Sequence, residues 1–473
     1  MRNCLRPFRE SAVNRYCRLF PPMQFPPDVD DYCEALTELG RAMVDDGSRV
    51  SDEHPEILVD SGYTYFGQFI AHDLTKDVSS VDDAWRKEPE ELENLQTPKL
   101  DLGTLYGGGP ESSPELYEDD GVRLKIGCER NGRHSFDIHV RADGGCVLAD
   151  ERNTENLILR QITALFARLH NFAVEQLHRQ IADQTALFAR ARLQTHWQYQ
   201  WLVCRDYLAT LLDPAVYKDV FVRGRSTIRW NEFSIPIEFS TAAMRFGHAM
   251  VRPNYLFAFG QEMPLPQILR RTSECGPLDE RMEINWGFFF QGAGEGRAVT
   301  SRPIDTRLAP PLQTLPDDLV GVAQIACPHF RVAKNPAELS VRTLLRGAGL
   351  RLASGQNAAA ALRERVLSEA ELTQNFAGEE TEQGRILRET GFARETPLWY
   401  YVLKESEVRH NGNRVGPLGS RLIAETVCAA LRTDRDSYLN RARGDDFPPV
   451  WNFAGRRVRI YGLSEFFRMV PLL

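Results

Sequence analysis

The sequence has no long apolar run, no basic block and no closely spaced pair of cysteines. Nowhere in its 473 residues do the roughly eighteen apolar residues that a bilayer-crossing helix needs run together, so no membrane span is expected. Lys and Arg number 57 against 65 Asp and Glu, a formal charge of −8. Without a basic stripe, a nucleic-acid partner is not expected either. The nine cysteines stand at positions 4, 17, 33, 128, 146, 204, 275, 327 and 428, with no C-x-x-C pair for zinc, iron–sulfur or thiol-exchange chemistry. Scattered thiols suit a reducing compartment, and the N-terminal MRNCLRPFRESAVNRYCRLF lacks the apolar core of a secretory signal, so a cytoplasmic location is expected. G-x-S-x-G and H-E-x-x-H are missing. GAGEG at 292–296 lacks the Lys-Ser/Thr of a phosphate loop, and GGGP at 107–110 reads as a turn.

What remains is ordinary globular material, 42% apolar and 26% charged, enough for a sizeable core. Residues 1–30, with FPPMQFPPD, read as an extended arm over the surface of a body formed by 31–473. Helical spacing is expected near 34–46, from 157 towards Ile181, and over 186–213, 238–251, 338–353, 357–370 and 420–432. Segment 85–120 is loop-rich, and 122–148 reads as short strands around a turn at ERNGR. No repeat or low-complexity linker divides the chain. A mainly α, single large helical domain with a few short strands is expected.

Among ten histidines, His54, His134, His139, His170, His178, His196, His329 and His410 have no obvious chemical company. His72 ends the apolar-aromatic run YFGQFIAHDLTKD. His248 sits in FSTAAMRFGHAMVRP beside Ala242, Ala243, Phe246 and Met250. Each reads either as a satisfied core histidine or as an imidazole whose small neighbours let a flat ligand lie close. Asp150-Glu151-Arg152-Asn153-Thr154-Glu155-Asn156 opens the 157 helix. Capping and the helix dipole account for Asp150, Asn153 and Thr154. They do not account for Arg152, a cation at the wrong helix end.

Three motifs in this order, GQFIAHDLT (67–75), LADERNTENLILRQITALFARLHNFAVEQL (148–177) and FSTAAMRFGHAMV (239–251), resemble the animal-type haem peroxidases, the superfamily of mammalian peroxidases and cyclooxygenases, with the bacterial members closest. LDLGTLYGGGP (100–110) and LSVRTLLRGAGLRLASGQ (339–356) add weaker similarity. The resemblance implies a haem b cofactor with His248 as fifth iron ligand. His72 is then the distal base, with Arg152 as a cation over the iron and Gln68 orienting peroxide. Arg245 and Arg346 are implied at haem propionates. The implied function is a peroxidase reducing hydrogen peroxide through a ferryl haem intermediate and oxidising a small organic or halide donor.

Departures from the family pattern carry information of their own. The Asp that forms one haem ester in mammalian relatives is Ala71 here, the second ester carboxylate is Glu155, and the methionine of a sulfonium link is Asn156. At most one covalent bond, through Glu155, is therefore implied. Thr343 stands where an Asn usually accepts from the proximal imidazole. A calcium site is implied through Asp73, Thr97 and Asp101, with Gly103 in place of the usual serine. Fatty-acid oxygenases of the superfamily carry a tyrosine three residues before the proximal histidine, and Arg245 occupies that place. A haem-dependent fatty-acid or aromatic dioxygenase is the alternative on the same scaffold, with a non-catalytic haem-binding protein as the third reading. The segment RETGFARETPLWYYVLKES (388–406) is expected at the substrate mouth.

Overall fold

The computed structural model describes residues 14–24, 28–45, 57–77, 85–127, 137–228, 230, 233–269, 276, 278–320, 337–441, 447–453 and 455–472. Residues 1–13 and 25–27 of the expected arm, the ERNGR turn, His54, His134 and His329 lie outside them. Helices of two turns or more among the described residues are α1 (Val29–Ala42), α2 (Gly62–Leu74), α3 (Leu157–Leu177), α4 (Gln184–Leu202), α5 (Leu339–Gly349), α6 (Gly355–Leu362), α7 (Glu382–Glu389), α8 (Leu398–His410) and α9 (Pro417–Thr433). The fold is mainly helical, as expected, and no helix among the described residues is long and apolar enough to cross a membrane.

At the centre lies α3, buried on every side from Leu157 to His170. Such a helix must neutralise its polar groups internally. Arg160 does so by a fork to Asp137, Nε to Oδ1 and Nη2 to Oδ2, both at 2.7 Å. His170 does so through Val122 O and the Tyr106 hydroxyl. The helix α2 packs across α3 through Phe69 stacked on Phe166, with ring centroids 5.2 Å apart. Helix α4 runs along α3, while α8 and α9 pack on each other and on the turn Ala243–His248.

Strands are few and short. β1 (Asn14–Cys17) pairs antiparallel with β2 (Glu93–Asn94) and parallel with β3 (Ile235–Pro236). Tyr16 to Phe20 are buried, so this part of the expected arm enters the body, and residues 21–24 run partly exposed. The fixing group is Glu238, whose carboxylate accepts from the Leu19 and Phe20 amides at 3.0 and 3.2 Å. In the expected strand region 122–148 the described residues form isolated bridges, Ile126 with Ile138 and Val140 with Cys146.

Three expected helices differ in form, the 186–213 pattern passing into a π-helical turn at Val203–Tyr207 and ending at Leu211. Segment 238–251 is broken. A short helix, Ile237–Thr241, ends at Ala242 (φ −125°, ψ −69°), and a 3-10 turn, Ala243–His248, follows. The 357–370 pattern stops at Leu362 because Arg363 takes a left-handed conformation (φ 61°). No residue of the 388–406 segment is among those lining the cavity that His72 and His248 share. Its apolar-aromatic residues Leu398 to Leu403, on α8, are buried, and Glu405 receives the Leu418 amide at the start of α9.

Candidate active site

One face of α2 enters the core through Phe66, Phe69, Ile70 and Leu74. The other carries Thr64, Gly67, Gln68, Ala71, His72 and Thr75, at the i, i+3/4, i+7/8 and i+11 positions of a helix, and lines a cavity of about 400 Å³. That volume falls within the roughly 300–1,000 Å³ of small-molecule and cofactor pockets. Other walls come from Arg152, Glu155 and Asn156, from Ser240, Met244, Arg245, Gly247 and His248, and from Leu339 and Arg342 at the start of α5. Leu312, Leu315 and Leu319 supply an apolar side. The structure thus brings together His72, Gln68, Arg152, Glu155, Arg245 and His248, residues up to 180 positions apart in the chain.

The two imidazoles are held differently. His72 Nδ1 lies 3.0 Å from Asn153 Oδ1, an acceptor, so the ring proton sits on Nδ1 and Nε2 keeps its lone pair. Burial above all, and then the Arg152 charge, push the His72 pKa down to about 3. At neutral pH His72 is therefore a neutral base. His248 is half-buried, its Nδ1 is sealed without a hydrogen-bond partner, and the Trp399 ring meets it edge-on at 5.9 Å. Burial, with the Arg245 charge second, pushes its pKa to about 3 as well. Its Nε2 is thus the atom left for a ligand in the cavity.

Arg152, on the cavity wall, is also held by several partners. Nε and Nη2 hold Asp150 at 3.0 and 2.7 Å, Nη1 donates to Thr75 O at 2.7 Å, and Nη2 donates to His72 O at 2.8 Å. Asp150 is fully buried; although burial opposes ionisation, the Arg152 hydrogen bonds and charge hold its carboxyl well below the usual range. The Arg152 charge is spent largely on this pair, and the side chain clamps the C-terminal end of α2, where His72 sits. Asp150 also caps the 3-10 turn Glu151–Thr154, and Asn156, rather than Asn153 or Thr154, caps α3 by accepting from the Ile158 and Leu159 amides.

Gln68 is fixed from both sides: its Nε2 donates to Glu155 Oε2 at 3.4 Å and its Oε1 accepts from Asn156 Nδ2 at 3.1 Å. Glu155 Oε2 is 3.7 Å from His72 Nε2, beyond hydrogen-bond length. Arg245 donates from Nε to Ser240 O and is pushed down to about 10 by burial first and then by Arg346 and other cations near it, so it stays charged.

Two expected residues are not brought to the cavity. Thr343 does not meet His248: its hydroxyl donates to Leu339 O at 2.8 Å, the bond a helix-interior threonine makes to the turn before it. Arg346 lies outside the cavity wall and is ion-paired with Asp77. One helical turn earlier, Arg342 takes the place at the cavity that had been expected of Arg346. The expected calcium residues do converge on the far side of α2. Thr97 donates to Asp101 Oδ1 at 2.9 Å, and Asp73 accepts from the Leu102 amide. Burial, followed by the charge of Asp101, raises the Asp73 pKa well above normal. No cluster of three His, Cys, Asp or Glu side chains placed for a metal is found among the described residues.

Sequence reasoning missed Asn153 as the tautomer-fixing partner, Asp150 as counter-ion, Arg342, and Tyr207, which reaches the cavity from the π-helical turn Val203–Tyr207 after α4. The spacing of Arg342 and Arg346 by one turn offered a signal for the first of these cations. Tyr207 had none.

Residues 76–275 match the family model of the animal haem peroxidases. That segment carries Arg152, Glu155, Arg245 and His248; His72 and Gln68 stand just before it. No curated protein matches the chain in sequence. Among solved structures, peroxidase A of Dictyostelium discoideum superposes with a TM-score of 0.63 at 16% identity, covering 91% of this chain and 90% of that one. A fatty acid alpha-dioxygenase of Arabidopsis thaliana gives 0.63 at 15%, covering 90% and 73%. The Oryza sativa fatty acid alpha-dioxygenase gives 0.65 at 13%, covering 97% and 80%. At these identities the likeness is one of fold. The chain has the haem peroxidase fold over nearly its whole length.

Proposed function

We propose that this protein is a haem peroxidase that reduces hydrogen peroxide and oxidises a small organic or halide donor. The observation that carries the reading is the pair of neutral imidazoles on one cavity, His72 with its proton fixed on Nδ1 and His248 with Nε2 free for a ligand. The residues fit a haem. His248 would hold the iron, Arg245 and Arg342 would meet its carboxylates, and the three leucines would cover its apolar edge. Gly247, on the wall beside His248, has open space where a Cβ would stand. Bound there, the haem would supply the electrons that break the peroxide bond.

The protein's own part is proton handling. His72 Nε2 takes the proton of the inner peroxide oxygen and returns it to the outer one, which then leaves as water. Gln68, locked between Glu155 and Asn156, orients the peroxide. Arg152 is a positioning residue that keeps His72 in place through the end of α2. Glu155 faces the cavity as the candidate for a single haem ester, and Asp73, Thr97 and Asp101 form the candidate calcium site.

The test is an optical spectrum of the purified protein before and after peroxide. A Soret band that shifts with peroxide, together with guaiacol oxidation, is the expected result; a protein without a Soret band after haem reconstitution would overturn the reading. A fatty-acid oxygenase is the second reading, favoured by the leucine wall, which suits an acyl chain. Oxygen uptake with a fatty acid and no peroxide-driven guaiacol oxidation would select it.

A further inference from the structure

Tyr207 is 2% exposed and lines the cavity next to α2. Its hydroxyl rests on Gly67, so closely that a Cβ there would stand 2.1 Å from it. No hydrogen bond to that hydroxyl is found among the described residues. Behind it the Tyr63 ring is stacked on Tyr207, centroids 6.2 Å apart and planes within 19°. Tyr63 is half-buried and reaches the surface, where its hydroxyl donates to Asp206 Oδ1 at 2.5 Å. Asp206, also half-buried, is anchored by the Leu463 amide on Oδ2 and by Thr210 on Oδ1.

The two phenols differ in one respect that matters for oxidation. An oxidised phenol is a strong acid, so a tyrosine is oxidised readily where a base waits for its proton. Tyr207 has no such base in contact, and Tyr63 has Asp206. An oxidising equivalent that enters at Tyr207 therefore comes to rest on Tyr63, at the surface.

We infer that Tyr207 and Tyr63 form a relay that carries oxidising equivalents, one at a time, from the cavity to a reductant too large to enter it, with Asp206 as the proton acceptor. This rests on the haem peroxidase reading. The oxidant is hydrogen peroxide, which takes two electrons and two protons to give two waters in the cavity. For each electron, Tyr207 gives an electron inward and its proton passes to the peroxide in the cavity. Tyr63 then re-reduces Tyr207, which takes up a fresh proton from solvent through the cavity, while the Tyr63 proton moves to the Asp206 carboxylate. The external donor returns an electron to the Tyr63 radical, and Asp206 returns the proton. Two such cycles consume one peroxide and leave two one-electron-oxidised donors.

The experiment uses the haem-loaded full chain, mixed with peroxide and frozen for electron paramagnetic resonance, with reduced cytochrome c as the large donor and guaiacol as the small one. A tyrosyl signal is expected in the wild type and is expected to be absent in Tyr207→Phe. Tyr63→Phe, which lies outside the cavity wall, is expected to oxidise guaiacol as the wild type does while losing cytochrome c oxidation by about tenfold or more. Asp206→Asn should confine the radical to Tyr207. The relay is overturned if peroxide shifts the Soret band without any tyrosyl signal, or if Tyr63→Phe oxidises cytochrome c at the wild-type rate. A missing Soret band would remove the haem reading and the relay with it.

Discussion

A single hydrogen bond decides what His72 can do. Because Asn153 Oδ1 holds the Nδ1 proton, Nε2 is a lone pair facing the cavity, and burial keeps it unprotonated far below the usual imidazole range, to about 3. His72→Ala should keep haem bound yet slow peroxide activation by roughly a hundredfold or more, as loss of a general acid–base commonly does. The sign of the pH effect follows: protonation removes the base, so the step slows only as pH falls through the folded-state pKa. A stopped-flow profile flat from pH 8 to 4 is expected, and a midpoint near 6.5 would show that His72 is not desolvated. His248→Ala should abolish stable haem binding and with it the Soret band, since it removes the imidazole that would hold the iron. Thr343→Val, in contrast, should leave both the band and the peroxide step unchanged, because its hydroxyl is bonded to Leu339 O and not to the imidazole. A shifted band in that variant would restore the partnership that the family pattern implied.

Elements were legible in the sequence where a period ran undisturbed. The helices α3 and α9 show it, their apolar positions recurring over four or more turns. The approach to His248 did not, because the chain breaks at Ala242, leaving a five-residue helix before it and a six-residue 3-10 turn after it. The site itself was legible in its motifs but not in its register. Gln68, His72, Glu155, Arg245 and His248 reach one cavity, yet the α5 cation is Arg342 rather than Arg346, and Arg152 is tied to Asp150. Such partnerships depend on which side chains long-range packing brings together, and no local pattern encodes them. The break does have a use, since it leaves Gly247 on the wall with nothing within 4 Å of its Cβ position. Gly247→Leu should therefore fill the slot beside His248. Haem uptake should fail while the melting temperature of the haem-free protein is not lowered. A normal Soret titration in that variant would mean that the planar group lies elsewhere.

Over the whole molecule, buried ionisable groups away from the cavity set opposing limits on stability. His170 and His196 are neutral in the folded state, burial pushing the first to about 4 and the second well below 6.5. Their stabilising effect is present above pH 6.5, where the unfolded chain is neutral too, and it is lost as pH falls through the folded values. Glu238 and Glu405 behave in the reverse sense. Burial raises them to about 7 and about 8 from 4.5, so their contribution is complete below 4.5 and is lost as pH rises through 7 and 8. Each group changes stability by about 1.4 kcal/mol per pH unit inside its own window. Between pH 4.5 and 6.5 these histidines and glutamates act in opposite senses. Above 6.5 the two glutamates still lower stability as pH rises, and His170 lowers it as pH falls towards 4. Denaturant titration of the haem-free protein should show stability declining on the alkaline side of pH 6.5. Glu405→Gln should flatten the alkaline limb selectively, because its amide cannot ionise beneath the N-terminus of α9, where the carboxylate receives the Leu418 amide at 2.9 Å. An alkaline limb unchanged in that variant would place the controlling ionisation on another group.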